Sequence, residues 1–233
     1  MKSYIFLEIP YTESRCYHEI IQNTFPNRTI YSLNKRENKT SSSFIKMALN
    51  EKSHYRIIKG INYFGLHQYF KNPSNVKYIT LLRDPIERII NLYEGIYKNK
   101  NHSLHKTVSK SKMTLKDFVS SSLTKELSNY QTSLISGISF DLDKCNFNIY
   151  NTAIVNIKDH FCHVGIQAHL RKSVEELTTF IGTPKGIKLE LQKKVQPKKQ
   201  EISNEVIDLI HERNIYDIIL FNKQLIKFRE IAK

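Results

Sequence analysis

Apolar residues occur along this chain in two patterns, as short continuous runs and as longer stretches with helical spacing. The short runs are rich in β-branched and aromatic residues and end at polar or turn residues, which is typical of buried strands. Runs of this kind predict strands at residues 4–9, 28–32, 54–60, 76–82, 149–155 and 160–164.

Between these runs, apolar residues recur every three or four positions, which is typical of amphipathic helices. Helices or helical turns are predicted at residues 16–25, 44–50, 64–70, 85–97, 129–136 and 170–181, and another begins at Thr114. Residues 202–231 predict two helices or one kinked helix packed on the body. Because strands alternate with helices, we predict an α/β fold with a parallel sheet of four or five strands and helices on both faces.

Two basic segments interrupt this pattern. Residues 98–113 contain several lysines together with His102 and His105, and we interpret them as a mobile loop or lid. Residues 182–199 are rich in lysine and are predicted to be irregular. No internal repeat or clear linker divides the chain, so we predict one domain over residues 1–233, in which residues 200–233 form C-terminal helices.

The most informative corner of the chain joins the strand at residues 76–82 to the helix at residues 85–97. Pro85 stands where a first-turn proline belongs, and Asp84 stands where an N-cap belongs. We therefore expect Arg83 at the carboxyl end of a buried strand, beside a helix N-terminus, where open α/β sheets bind anionic ligands. The alternative is an ordinary strand-to-helix corner with one solvated arginine.

The charge of the chain agrees with an anionic ligand. A net charge of +14 and an isoelectric point near 9.6 favour a partner such as phosphate, sulfate, nucleic acid or an anionic surface. A high lysine content is also a background property of AT-rich genomes, so charge alone does not identify the partner. Helix-turn-helix, zinc-finger and aromatic-basic sheet motifs are absent from the sequence, so we do not expect a nucleic-acid partner.

Cysteine and histidine usage suggests the compartment and argues against a metal site. The three cysteines, Cys16, Cys145 and Cys162, lack CxxC spacing, which argues against a disulfide scaffold and fits a reducing compartment. No signal peptide and no apolar run as long as a membrane span is visible, so we expect a cytoplasmic protein without a membrane span. His102 and His105 have no accompanying ligand cluster, so we predict no metal.

A series of short motifs runs along the chain from Tyr4 to about Phe228. In order, they are Ile9-Pro10-Tyr11-Thr12-Glu13-Ser14-Arg15-Cys16, Lys59-Gly60-Ile61 with Phe64-Gly65-Leu66, Leu82-Arg83-Asp84-Pro85 through Tyr93, Asn129-Tyr130-Gln131-Thr132 through Ser136-Gly137, and Val164-Gly165-Ile166-Gln167-Ala168 ahead of Ser173. This series resembles the carbohydrate sulfotransferases, the Golgi-type family with bacterial relatives that includes heparan sulfate 2-O-sulfotransferase. The segments around Arg83 and Asn129 are the more specific ones.

The resemblance implies a P-loop-like three-layer fold and binding of the sulfuryl donor 3'-phosphoadenosine 5'-phosphosulfate (PAPS) or its product 3'-phosphoadenosine 5'-phosphate (PAP). In the family, the first loop wraps the 5'-phosphosulfate with backbone N–H groups and a helix start. The matching loop residues are Tyr11, Thr12, Ser14, Arg15 and Cys16. Arg83 and Asn91, the latter in place of a serine, match the residues that hold the 3'-phosphate, a task that suits the planar guanidinium.

The chain departs from the family pattern at positions that would carry the reaction. Tyr11 replaces a lysine, Glu13 and Ser14 replace two glycines, Ile61 replaces a candidate base histidine, and Ala168 replaces a glutamate. Tyrosine is neutral near physiological pH, and a glutamate brings like charge toward an anionic ligand. We therefore expect sulfuryl transfer to be weak or lost.

Other residues could replace the missing groups, and two classes of function stay open. The candidates for catalysis are Tyr11, Arg15, His67 and Glu8, and His18 and Glu19 also lie close to the first loop in sequence. One class is an enzyme that transfers a sulfuryl group from PAPS to a hydroxyl of a glycan or small metabolite. The other class is a non-catalytic relative that binds a nucleotide or an anionic glycan.

Overall fold

The computed structural model describes residues 2–34, 37–183 and 202–230. Its centre is a five-stranded parallel sheet with the strand order β2-β3-β1-β4-β5. The strands are β1 (Ser3–Leu7), β2 (Ile30–Ser32), β3 (Ile57–Gly60), β4 (Val76–Leu82) and β5 (Phe161–Ile166). The predicted α/β fold with a parallel sheet of four or five strands flanked by helices is therefore confirmed.

Helices follow the strands in the predicted alternation. They are α1 (Arg15–Thr24), α2 (Ser41–Lys46), α3 (Leu49–Lys52), α4 (Pro85–Lys98), α5 (His105–Lys110), α6 (Leu115–Ser120), α7 (Tyr130–Ser136), α8 (Phe147–His160), α9 (Leu170–Ile181), α10 (Asn204–Arg213) and α11 (Ile215–Glu230). Short 3₁₀ turns occur at Asn27–Thr29, Leu66–Tyr69, Pro73–Asn75, Lys125–Leu127 and Gln167–His169. The predicted boundaries of α4 and α9 agree with the structure almost residue for residue.

The sheet separates two apolar cores, because alternate side chains of each strand point to opposite faces. In β1, Tyr4 and Phe6 belong to the core beneath α1 and α9. Ile5 and Leu7 belong to the core on the other face, beneath α7, α8 and α11. A third cluster joins α4 to α5, α6 and α10 at the side of the sheet. The helices on both faces thus hold the carboxyl edge of the sheet in a fixed position.

The strand predicted at residues 149–155 is wrong, because these residues lie inside α8. Ile149, Ala153 and Ile157 recur at helical spacing and are buried. The Asn146 side chain accepts a hydrogen bond from the N–H of Ile149 at 3.1 Å and begins the helix. The β-branched residues of this run favoured a strand, but the N-cap and the buried helical face override that local preference.

The interpretation of residues 98–113 as one loop or lid is also wrong in part. The segment contains α5, and Val108 of this helix is fully buried in the cluster that it shares with α4 and α6. Nδ1 of His105 lies 3.0 Å from the carbonyl oxygen of Ile96, which ties the segment to α4. Val108 is a single apolar side chain among polar neighbours, which is a weak signal for a helix in the sequence. In the structure, its burial anchors α5 against α4 and α6. The irregular segment predicted at residues 182–199 lies outside the described residues from residue 184 onward.

Residues 204–230 form two helices, which is the first of the two alternatives that the sequence predicts for the C-terminal region. At their junction, Nδ2 of Asn214 donates to the carbonyl oxygens of Leu127 and Ile210 at 2.9 and 3.0 Å. The buried Asp217 carboxylate accepts hydrogen bonds from the N–H groups of Gln131 and Thr132 at 3.1 and 2.7 Å. Helix α11 therefore supplies acceptors for the first turn of α7, whose backbone N–H groups have no partner within their own helix.

Candidate anion-binding site

Two loops leave the carboxyl edge of the sheet between β1 and β4. The chain leaves β1 toward β2 on one side of the sheet, whereas it leaves β4 toward β5 on the other side. The gap between β1 and β4 is therefore the point where the connections diverge, which is where open α/β sheets bind ligands. Residues 8–14 after β1 and Arg83 after β4 flank this gap.

Arg83 is held firmly at the end of β4. Its N–H donates to Oε1 of Gln131 at 3.2 Å, and its carbonyl oxygen accepts from Nε2 of the same side chain at 2.9 Å. Asp84 caps α4 by accepting from the N–H groups of Ile86 and Glu87 at 3.0 and 3.1 Å, as the sequence predicts. The Arg83 side chain is only 6% exposed, so its guanidinium is both oriented and largely removed from water.

The guanidinium of Arg83 lies between two carboxylates. Its Nη1 donates to Oε1 of Glu13 at 2.8 Å and to the carbonyl oxygen of Tyr11 at 3.3 Å. Its Nε and Nη2 each lie 3.2 Å from Oε2 of Glu87, one helical turn further along. Because two negative charges surround one positive charge, an incoming anion meets no uncompensated positive charge in this conformation.

Glu13 lies at the centre of the site and also contacts Gln167, which follows β5. Oε2 of Glu13 accepts from Nε2 of Gln167 at 2.8 Å. Gln167 is 2% exposed, and its Oε1 is buried without a hydrogen-bond partner in the part of the chain that the structure describes. Sequence reasoning missed Gln167, because the family motif drew attention to Ala168 beside it. The available signal was its place just beyond the end of a predicted strand.

Asn91 lies on α4 beside the guanidinium. With its amide oxygen turned toward Arg83, it accepts hydrogen bonds from Nη1 and from Nη2, the latter at 3.0 Å. Turned the other way, its Nδ2 lies 3.3 Å from Oε1 of Glu13. The structure thus places Asn91 next to Arg83, where its amide either accepts from the guanidinium or donates to the Glu13 carboxylate.

The loop after β1 has an unusual backbone. Tyr11 (φ 67°) and Glu13 (φ 58°) both adopt the left-handed conformation that favours glycine. The sulfotransferase motif has glycine at the Glu13 position, so Glu13 holds a backbone shape that glycine would adopt without steric cost. Thr12 is buried, and its hydroxyl donates to the carbonyl oxygen of Ile9 at 2.8 Å, which tightens the turn.

The remaining predicted loop residues do not converge on Arg83. The Tyr11 ring packs on α4 so closely that a Cβ added at Gly95 would come within 2.6 Å of Cε1 of Tyr11. Burial raises the pKa of the Tyr11 hydroxyl to about 12. Cys16 lies in the first turn of α1 and is buried in the core that α1 shares with α9, and burial raises the pKa of its thiol to about 11. Arg15 is exposed at the start of α1. The backbone of Tyr11, rather than its hydroxyl, therefore contacts Arg83.

A second polar cluster lies at the start of the same loop. Oε1 of Glu8 accepts from Oγ of Ser14 at 3.0 Å and lies 2.9 Å from Nε2 of His18. Lys59 of β3 pairs with Phe6 of β1, and Glu8 follows Phe6 by two residues. Because every second residue of a strand points to the same face, Lys59 and Glu8 lie on the same face of the sheet. Burial opposes ionisation of Glu8, but hydrogen bonds from His18 and Ser14 lower its pKa below the usual value. Burial also lowers the pKa of Lys59, an effect that Glu8 opposes.

His67 lies away from this edge of the sheet. Its Nδ1 lies 3.1 Å from the hydroxyl of Tyr78 in β4. Tyr78 comes five residues before Arg83, a separation of about 16 Å along an extended strand. Burial lowers the pKa of His67 to about 4, so the ring is neutral near physiological pH. Ile61 is 51% exposed after β3 and has no group that moves a proton. The structure therefore brings Glu8, but not His67, to the loop that faces Arg83.

Other features of the described residues do not extend the site. A separate open groove of about 510 Å³ is lined by Tyr63, Phe64, Tyr69 and neighbours, and it includes none of the predicted site residues. Within residues 2–34, 37–183 and 202–230, no group of three or more His, Cys, Asp or Glu side chains could hold a metal ion. No helix in these same ranges is both long and apolar enough to cross a membrane.

Three strand ends thus contribute to one position, with Glu13 after β1, Arg83 after β4 and Gln167 after β5. Arg83 and Gln167 each donate a hydrogen bond to one oxygen of the Glu13 carboxylate. No family model matches the chain, and no curated protein matches its sequence.

Proposed function

We propose that this chain is a sulfotransferase-like protein that binds PAPS or PAP at the sheet edge between β1 and β4. The observation that carries the proposal is Arg83, whose side chain is buried and whose backbone Gln131 clamps at the point where the strand connections diverge. An arginine held in this way offers a planar set of donors to a phosphate group. The resemblance of the motifs around Arg83 and Asn129 to the carbohydrate sulfotransferases supports the choice of nucleotide.

As an enzyme, the protein would transfer a sulfuryl group to a hydroxyl of a glycan or small metabolite. The acceptor oxygen forms a bond to sulfur, the bond between sulfur and the 5'-phosphate oxygen breaks, and the hydroxyl proton passes to a base. The candidate base is Glu8 at the start of the first loop, which contacts His18 and whose pKa is below its usual value. Lys59 and Arg15 are the cations available to the leaving phosphate, a role that Tyr11 cannot fill because its hydroxyl is neutral.

A non-catalytic relative that binds a nucleotide or an anionic glycan is the second candidate. The Glu13 carboxylate favours it, because this group takes up hydrogen bonds from Arg83 and Gln167 that a donor phosphate would need. The exposed Ile61 also favours it, since the family motif has a candidate base at this position.

Calorimetric titration with PAP tests the nucleotide binding that the enzyme and a nucleotide-binding relative share. We expect Arg83→Ala to weaken binding by about 1.5–3 kcal/mol, the scale of a hydrogen bond to a charged group. Arg171→Ala, which removes an exposed arginine on α9, should leave binding unchanged. A wild-type protein that binds no PAP at millimolar concentration contradicts the enzyme and a nucleotide-binding relative, and it leaves only a relative that binds an anionic glycan. A radiolabelled-sulfate assay then separates them, because turnover supports the enzyme and binding without turnover supports the non-catalytic relative.

A further inference from the structure

We propose that Glu13 is an internal ligand of the anion site, and that Arg83 and Gln167 bind a phosphate group only after the Glu13 carboxylate leaves. The inference rests on the binding site proposed above. It adds Gln167 as a residue that contacts the ligand and Glu13 as a competitor within the chain. The ligand that this arrangement selects is a phosphate monoester.

The two oxygens of the Glu13 carboxylate are bound by donors from two different strand ends. Oε1 accepts from Nη1 of Arg83 and Oε2 accepts from Nε2 of Gln167, each at 2.8 Å. A phosphate group presents pairs of oxygens in a similar fork, so the same donors can bind it with little movement. Both donors are already positioned, because the Arg83 side chain is 6% exposed and Gln167 is 2% exposed.

The unpaired amide oxygen of Gln167 is a second, independent observation. Its Oε1 is buried and accepts no hydrogen bond from any described residue. Buried acceptors in folded proteins are almost always paired, so an unpaired one at a ligand-binding edge points to a donor that arrives with the ligand. A phosphate monoester offers both kinds of group, since it presents anionic oxygens to Nε2 and, in its monoprotonated form, an O–H to Oε1.

Glu13 is able to leave because, among the described residues, its recorded hydrogen bonds are made by an exposed carboxylate at the end of a flexible side chain. Its side chain is 51% exposed, and it extends from a loop rather than from a helix or strand. Its left-handed backbone (φ 58°) is unfavourable for a residue with a Cβ, so the bonds to Arg83 and Gln167 hold the loop against this strain. The apparent affinity for a phosphate ligand is then lowered by the fraction of molecules in which Glu13 fills the site.

Titration of inorganic phosphate and of PAP into variants of the whole chain tests this proposal. Glu13→Gln keeps the size of the side chain and removes one of the two carboxylate charges that pair with Arg83, while Glu87 stays in place. We therefore expect both ligands to bind about tenfold more tightly, or about 1.4 kcal/mol. Glu13→Gly should have the same effect and also removes the backbone strain, which makes it the second variant if Glu13→Gln folds poorly. Glu175→Gln on α9 is the matched control, because it removes an exposed carboxylate remote from the site. Adding Gln167→Ala to Glu13→Gln should weaken binding again by about fivefold, the scale of one hydrogen bond.

The two ligands separate this inference from the proposed function. If phosphate binds more tightly to Glu13→Gln but PAP binds to neither protein, the internal ligand stands and the proposed nucleotide function fails. If PAP binds equally to the wild type and to a folded Glu13→Gln protein, the function stands and the internal ligand is refuted. If neither ligand binds to the wild type, Glu13→Gln or Glu13→Gly, the site takes no phosphate and the inference is refuted.

Discussion

Replacing Gln131 with alanine should destabilise the protein, because this side chain holds the backbone of Arg83. Gln131 is fully buried, and its amide bonds both the N–H and the carbonyl of Arg83, at 3.2 and 2.9 Å. In Gln131→Ala both backbone groups lose their partner inside a buried turn. One unsatisfied buried group costs about 1–3 kcal/mol, so two cost about 2–6 kcal/mol. Because water can enter the space that the amide leaves, we expect a loss of about 2–4 kcal/mol in the free energy of unfolding.

Urea unfolding measures this loss. The chain has no tryptophan, so the transition is followed by far-ultraviolet circular dichroism. Gln131→Met fills most of the space without hydrogen bonding, and it separates the lost hydrogen bonds from the cavity. Gln22→Ala, at an exposed position of α1, is the matched control and should change stability by less than about 0.5 kcal/mol. If Gln131→Ala and Gln131→Met are both as stable as the wild type, the clamp on Arg83 contributes nothing and the reasoning fails.

Three further predictions test other parts of the structure. Tyr11→Lys combined with Glu13→Gly should tighten PAP binding, because it adds a cation and removes a repulsive carboxylate; unchanged or weaker binding in titration would contradict this. Gly95→Ala should destabilise the protein by about 1–3 kcal/mol, because its Cβ would come within 2.6 Å of the Tyr11 ring, and Tyr11→Ala should remove most of that penalty in a double-mutant cycle. Burial lowers the pKa of His163 to about 4, so its ring stays neutral in the folded protein at mildly acidic pH. In the unfolded protein the same residue gains a proton as the pH falls, which stabilises the unfolded state, so the free energy of unfolding decreases in acid. Between about pH 7 and pH 5 this loss should reach about 2 kcal/mol in urea unfolding, and a His163→Gln protein that shows the same pH slope as the wild type would argue against it.

The features of this fold that the sequence predicted correctly depend on neighbouring residues. Asp84 and Pro85 start α4 through contacts within one helical turn, so the position of Arg83 after β4 was readable. The helix predicted to begin at Thr114 is α6, and the structure shows that its start is fixed within one turn by a capping box between Thr114 and Asp117. In α8, by contrast, β-branched residues favoured a strand locally, and burial against the body of the protein decided for a helix.

The chemistry at the sheet edge was decided by tertiary structure. From the residue types and the motifs around them, the sequence predicted that Arg83 contacts an anion and that the Glu13 carboxylate repels one. The pairing of these two residues joins positions 70 apart in the chain, and the bond from Gln167 to Glu13 joins positions 154 apart. No local pattern records such distances, since they follow from the order β2-β3-β1-β4-β5, which brings the ends of β1, β4 and β5 to one edge. The sequence by itself therefore determined the elements whose start is marked by local caps, such as α4, and the position of Arg83 after β4. The packing of the chain decided that residues 149–155 are helical and that Arg83 pairs with Glu13.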